Sequence, residues 1–494
     1  MENLISIVQT KLLASYNKMK YLFRFIIILI LISSCGGNEN TTDEEPLITP
    51  DNKPLISMLL PNTGSKGDEI QIIGKNLGDG VQDVIVTFGN VESTVKSVSK
   101  EKLTVLAPAN EGVVDVNVTV KNQVSNSLKF TYKEAQEKLK ITTNGIYVPY
   151  EVEEATTFRG VSHLRLKNGD IFTVSGSQAS VSSDNGKTWT STPMIDTDKY
   201  GISSAECLQT KDGVIIVAFM NVKERKWTWN NTIFDAPGAT LPTYVVRSTD
   251  GGKTWLVPQK MHDDWTGAIR SIIETKNGTV VFTAMKLLHN PGRHAVLTYS
   301  SKDNGATWTA SNILDNASSK GHHSGLMEST VLQLNDGRLW HLIRTNWDYI
   351  YESFSSDEGL TWNTPKKTDF DASSSPHSLI RLQSGRLILV WNRLYPEGKT
   401  YTPRFGGERD PNLSEVAASW MRHELSISFS DNDGKTWTTP RVIARYKDYT
   451  QPENNTDSSK WISYGHVVEL NPGIIMITTE SGGLRITFNE LDFI

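Results

Sequence analysis

Ser301-Lys-Asp-Asn-Gly-Ala-Thr-Trp308 decides the fold, because the chain repeats it. The same S-x-D-x-G-x-T-W pattern stands at Ser182-Asp184-Gly186-Trp189, Ser248-Asp250-Gly252-Trp255 and Ser355-Asp357-Gly359-Trp362. A fifth copy, Ser430-Asn432-Gly434-Trp437, carries Asn where the others carry Asp. Such a string reads as a hairpin tip. The Asx side chain caps backbone amides, the glycine supplies a positive φ, and the Trp packs down between neighbouring sheets. The five copies are structural and carry no catalysis.

A second repeat runs through the same region: a strand, a turn glycine and an apolar strand recur six times. The glycines are Gly169 (LKNGDIF), Gly213 (TKDGVII), Gly278 (TKNGTVV), Gly337 (LNDGRLW), Gly385 (LQSGRLI) and Gly473 (LNPGIIM). Six such units predict six blades over residues 140–494. The longest intervals follow Gly213 and Gly385, so blades two and five carry insertions, among them Lys223 to Asn231 and Tyr395 to Trp420. Long loops of this kind shape substrate sites. The sixth unit has no S-x-D-x-G-x-T-W copy, and its strands are expected to close the ring with the segment after Lys140. The repeated motif resembles the Asp-box of the sialidase-type β-propeller. The fold class is all-β, a six-bladed β-propeller preceded by an immunoglobulin-like β-sandwich.

The rest of the chain agrees with a β-rich, multi-domain layout. Its 494 residues include 36 Gly, 19 Pro and 13 Trp, and five of those Trp belong to the repeats. A net charge of −5 argues against a nucleic-acid partner. Residues 1–35 read as a signal peptide: Lys20 and Arg24 precede the apolar run Phe25–Ile32, FIIILILI, and Ser33-Ser34-Cys35 follows it. The run is too short to span a membrane, and Met19 is a more natural start than Met1. Ile32-Ser-Ser-Cys35-Gly36 resembles a bacterial lipobox, which implies lipidation at Cys35, an outer-membrane partner and a cell-surface location. Residues 36–53 are an acidic tether. Residues 54–133 hold short alternating runs such as Glu69–Ile73, Val84–Phe88 and Val114–Val120, which predict a small β-sandwich. Their turn pattern resembles an IPT/TIG module. Cys207 has no partner and is expected as a small buried thiol.

The repeat register also yields a site. Seven to ten positions before each turn glycine stand Arg159, Glu206, Arg270, Glu328, His377 and Tyr464, one per blade, and they should converge on one mouth of the axis. Here the resemblance to sialidases becomes specific. Phe158-Arg159 is similar to their first-blade F-R motif, which implies the first arginine of a carboxylate-binding triad. Glu328 with Arg344, Arg422 ahead of the fifth box, and Tyr464 in Ser-Tyr-Gly-His resemble, in family order, the paired Glu and second Arg, the third Arg, and the nucleophile. The chemistry is coherent. Three guanidiniums suit a planar sugar carboxylate, and an anomeric carbon bearing a carboxylate repels an anionic nucleophile. A phenol deprotonated by Glu328 is then preferred, with Tyr464 forming the covalent intermediate. Arg159, Arg344, Arg422, His377, Glu206 and Arg270 are thus the candidate substrate-binding residues, and Tyr464 and Glu328 the catalytic pair.

One feature departs from the family pattern. Sialidases carry an acid/base Asp between the first-blade turn and the first box, where this chain reads Thr173-Val-Ser-Gly-Ser-Gln-Ala-Ser-Val181 without a carboxylate. Glu206, Asp235 and His163 are the candidate substitutes. The leading expectation is an exo-glycosidase acting on a terminal carboxylated sugar, sialic acid or a related acid, in a glycan. The alternatives are a lyase or dehydratase on uronic-acid glycans, with Tyr464 or His377 moving the proton, and a non-catalytic glycan-binding lipoprotein. His322, His323, His341, His423 and His466 lack metal-ligand spacing, and no nucleotide motif is present, so no metal or cofactor is expected.

Overall fold

The computed structural model describes residues 53–132, 139–316, 320–395, 402, 404–446 and 458–493. The expected signal peptide with Cys35 lies outside the described residues, as does the tether apart from Lys53. The chain divides into two compact units, Met1–Ala135 and Gln136–Ile494.

In the first unit two sheets face each other. One is ordered Leu55–Leu60, Glu69–Lys75, Lys102–Leu106, Thr94–Val98, and the other runs from Thr63–Gly64 through Leu128–Tyr132 and Val113–Val120 to Val84–Phe88 and Val91–Glu92. Alternation along the strands puts Ile70, Ile72, Val86, Phe88, Val116, Val118 and Phe130 in one shared core. This is the sandwich expected from the alternating runs.

The second unit is a six-bladed β-propeller. Blade 1 comprises His163–Arg165, Ile171–Ser175, Gln178–Ser182 and Thr190–Pro193, and blade 2 comprises Ile202–Gln209, Ile215–Asn221, Thr243–Ser248 and Gln259–His262. Blade 3 holds Ile272–Glu274, Val280–Leu288, Arg293–Ser301 and Thr309–Ala310, and blade 4 Ser329–Gln333, Leu339–Ile343, Tyr349–Ser355 and Lys366–Asp371. Blade 5 is Ser378–Arg381, Leu387–Trp391, Glu424–Ser430 and Arg441–Tyr446, and blade 6 is Ser463–Asn471, Ile474–Ser481 and Arg485–Asn489. The first strands of successive blades touch in a closed circuit, and blade 6 meets blade 1. They line an axial cavity of about 510 Å³. Second strands such as Ile215–Asn221, Leu339–Ile343 and Leu387–Trp391 are buried along their whole length, because both faces of each sheet pack on a neighbour.

All six turn glycines sit in the hairpin between first and second strands with φ from +77° to +93°, the left-handed region that disfavours a side chain. The Asp-boxes join third and fourth strands. In the copy at Ser301, Asp303 accepts from the Thr307 amide and hydroxyl at 2.8 and 2.6 Å, and the Gly305 amide donates to Ser301 Oγ at 2.8 Å. In the fifth copy Asn432 Oδ1 still accepts the Thr436 amide at 2.8 Å, while its Nδ2 now donates to the Thr436 hydroxyl. The box tryptophans pack where blades meet: Trp362 joins the core shared by blades 3 and 4, and its Nε1 donates to Thr298 of blade 3 at 2.8 Å.

Ring closure uses the segment after Lys140 as expected, since Glu153–Glu154 pairs antiparallel with Arg485–Asn489 as the fourth strand of blade 6. The same segment does something the repeat did not indicate. Leu139–Ile141 and Ile146–Pro149 form a hairpin that pairs with Arg441–Tyr446 and widens blade 5 to six strands.

Candidate active site

An antiparallel meander places the starts of all first strands and the connections from second to third strands at one end of the ring. The turn glycines and Asp-boxes lie at the other end. Both insertions, 222–242 in blade 2 and 392–423 in blade 5, are second-to-third connections and therefore belong to the site end. They are tied to two further loops there: the amides of His322 and His323 donate to the carbonyls of Asn412 and Leu413, and the Gly292 amide donates to the Phe234 carbonyl.

Glu328 and His377 immediately precede the first strands of blades 4 and 5, Arg270 lies two residues ahead of that of blade 3, and Tyr464 is the second residue of that of blade 6. Arg344 follows the second strand of blade 4, and Arg422 closes the blade 5 insertion. These residues converge. Arg344 Nη1 donates to Glu328 Oε2 at 2.6 Å, both groups being buried. Burial favours the neutral carboxyl of Glu328, but Arg344 and Arg270 outweigh it and hold its pKa below the usual carboxylate value. The Tyr464 phenol lies close enough to Arg344 and Arg422 to interact electrostatically with both guanidiniums. The guanidiniums of Arg270 and Arg422 lie 5.3 and 5.5 Å from its ring centroid.

Tyr464 has φ +59°. Ser463 pairs with Ser481 and Gly465 with Thr479, so the continuous register leaves Tyr464 opposite Glu480. A bulky residue in the left-handed region is strained, and such strain gathers at functional sites.

Arg422 is the unusual charge. It is 3% exposed, donates to the Ser374 carbonyl, and packs 4.7 Å from the Trp461 ring and 5.5 Å from that of Trp420. No carboxylate pairs with it among the described residues, and its Nε has no hydrogen-bond partner there. Burial lowers its pKa to about 10. A dry guanidinium without a counter-ion is a site built for an incoming anion.

Arg270 lies differently from a free ligand-binding group. Its Nη1 is 2.6 Å from Glu480 Oε1, and Glu480 in turn is 3.3 Å from His466 Nε2. His466 Nδ1 is 2.9 Å from Glu206 Oε1, and the Ser162 hydroxyl donates to Glu206 Oε2 at 2.9 Å. Burial works against charge on His466, but Glu206 and Glu480 prevail and raise its pKa. Glu480 is brought down to about 2, since Arg270 and His466 overcome the effect of its burial.

Arg159 is not brought to this cluster. Phe158 packs where a Cβ on Gly186 would overlap its ring, the Arg159 carbonyl holds His163 Nε2 at 2.6 Å, and Arg159 itself is exposed. The three guanidiniums around Tyr464 are Arg270, Arg344 and Arg422 instead. His377 is buried behind Glu328 and Arg344, and burial lowers its pKa to about 4.

Of the candidate acid substitutes, His163 is fixed by two backbone carbonyls and lowered to about 4 by burial. Asp235 holds the blade 2 insertion to His289 at 2.8 Å and to the Asn290 amide at 3.2 Å. Cys207 is a free buried thiol, pushed up to about 12 by burial.

The sequence pattern did not single out Glu480, and His466 stood there only as a histidine without metal-ligand spacing. A signal was there: Arg344 stands seven positions after Gly337, and Glu480 stands seven positions after Gly473.

The buried neutral histidines make stability depend on pH. His163, His377 and His341 have folded values of about 4, about 4 and about 3, below the unfolded value of roughly 6.5. Their contribution is present above that value and is lost as pH falls toward about 4. His466 has the opposite sign: its contribution is lost as pH rises through its raised value. Thermal unfolding is expected to show a lower midpoint near pH 4.5 than near pH 6.5, by roughly several degrees; equal midpoints would contradict the burial of these rings.

Six blades, the fifth widened to six strands, close a β-propeller with arginines gathered at its mouth. The chain belongs to the BNR repeat-like domain family, whose model matches residues 179–477, and residues 54–132 match the IPT/TIG domain. It is 29% identical over 203 residues to a sialidase of Clostridium perfringens, covering 37% of this chain and 50% of that protein. A sialidase of Paraclostridium sordellii is 23% identical over 227 residues, covering 42% and 54%. The chain thus spans about half the length of these curated relatives. Among solved structures, a Hadza microbial sialidase superimposes with a TM-score of 0.45 at 15% identity, over 79% of this chain and 76% of that one.

Proposed function

We propose that the protein is a glycoside hydrolase of sialidase type that removes a terminal carboxylated sugar, sialic acid or a related acid, from glycans. The observation that carries this reading is Arg422, a buried cation without a carboxylate ion pair among the described residues, close to the Tyr464 phenol and to Arg344. The sugar carboxylate binds Arg422 and Arg344, with Arg159 at the rim. Tyr464 attacks the anomeric carbon as Glu328, held ionised by Arg344 and Arg270, accepts the phenol proton. A covalent glycosyl-tyrosine forms, and water releases the sugar. The sialidases among its relatives support this reading.

The test is a release assay on sialylated and uronate-containing glycans with mass-spectrometric identification of products. Free acidic sugar with the mass of hydrolysis is expected. An unsaturated product would indicate elimination, and binding without turnover would indicate a glycan-binding protein.

A further inference from the structure

The connection at which sialidases carry their acid/base carboxylate has none here, and a cavity of about 210 Å³ opens beside it. Ser175 and Gly176 of that connection line the cavity, together with Ser203 and Ser204 of blade 2 and His466 and Glu480 of blade 6. Glu480 is the carboxylate that reaches it. Its side chain is 36% exposed, while Oε1 is engaged by Arg270 and His466. Oε2 accepts no hydrogen bond from the described residues. Glu480 also sits next to the nucleophile, since it is opposite Tyr464 in the blade 6 ladder and Arg270 bridges the two, 2.6 Å from Glu480 and 5.3 Å from the Tyr464 ring. Glu206, by contrast, is buried, with Oε2 bonded by Ser162 and Oε1 at ion-pair distance from His466.

We propose that Glu480, resupplied with a proton by His466, is the general acid and base of the hydrolase reading, on which this assignment rests. As Tyr464 bonds to the anomeric carbon and the glycosidic bond breaks, the one proton held on His466 Nε2 moves to Glu480 and from Glu480 to the leaving oxygen. His466 is then neutral. In the second step water passes a proton through Glu480 back to His466 while its oxygen displaces Tyr464, which recovers its own proton from Glu328. The groups facing His466 fit this relay: Glu206 and Glu480 favour its charge and Arg270 opposes it, while His163 beside it is held neutral by burial. The resting proton therefore lies on the histidine and the exposed carboxylate is ionised.

Glu480→Gln separates this role from a structural one. For the variant, release from an alkyl sialoside is expected to fall by about 10²–10⁴-fold, and release from a nitrophenyl sialoside, whose leaving group needs no proton, by less than about tenfold. Azide should accelerate the nitrophenyl reaction of the variant, because it attacks the glycosyl-enzyme without a base. His466→Gln, which leaves Glu480 bonded to Arg270, should remove the alkaline limb of the pH–rate profile on the alkyl sialoside. Equal losses on the two glycosides without azide rescue, at an unchanged melting midpoint, overturn the assignment while leaving the hydrolase reading intact. A wild-type protein that turns over neither glycoside overturns both.

Discussion

Tyr464→Phe is expected to abolish sugar release, by at least about 10³-fold in kcat, while substrate still binds. The phenol oxygen is the one group at this mouth that is both nucleophilic and flanked by guanidiniums, Arg344 and Arg422, that stabilise negative charge developing on it. The left-handed backbone at Tyr464 belongs to the residue and not to its hydroxyl, so Phe inherits the same φ and the same contacts with Arg270 and Arg422. The variant should melt within a few degrees of wild type, and glycan binding measured by calorimetry should persist. Turnover near the wild-type level would remove Tyr464 from the chemistry.

Arg422→Met should move stability and function in opposite directions. Arg422 keeps a buried charge that no carboxylate of the described residues pairs with directly, and a thioether of similar length can fill the space between Trp420 and Trp461. Replacing buried charge by a well-packed apolar side chain is commonly neutral or stabilising by about 1–4 kcal/mol. Loss of the carboxylate contact should cost the enzyme about 2–5 kcal/mol of substrate binding, a rise in KM of at least about 30-fold. Arg344→Met provides the contrast: it strands Glu328 as a buried unpaired anion, and a loss of about 3–5 kcal/mol is expected. Equal melting midpoints for the two variants would contradict the difference in pairing.

The parts of this molecule that repeat were the parts most legible in the sequence. Each turn glycine and each Asp-box solves the same local problem, a left-handed residue or a run of unpaired amides at a hairpin tip, so its spacing announces the blade without knowledge of the neighbours. Glu328 and Tyr464 were found because the same register carries side chains to the mouth. Glu480 escaped because the register was followed only on the entering strand of each blade, although the returning strand delivers Arg344 by the same rule. Arg159 shows a different limit. Its neighbours in sequence match a known motif, but Arg159 is exposed while Phe158 beside it is buried against Gly186, a difference that spacing does not record. The hairpin Leu139–Pro149 was illegible for a third reason: its alternation suits any sheet edge, and its partner Tyr446 is some three hundred residues away in sequence.

That hairpin and the short strand after it cross from the fifth blade to the sixth, and they are the first parts of the propeller to be synthesised. Arg422 and Tyr464 stand on the two sides of the seam they cover. The last blade waits for the earliest residues, and those residues have no lasting partner until Arg441–Tyr446 and Arg485–Asn489 emerge. A chain that stops short of Arg441–Tyr446 and Arg485–Asn489 therefore holds most of the wheel but neither a sealed seam nor a finished mouth.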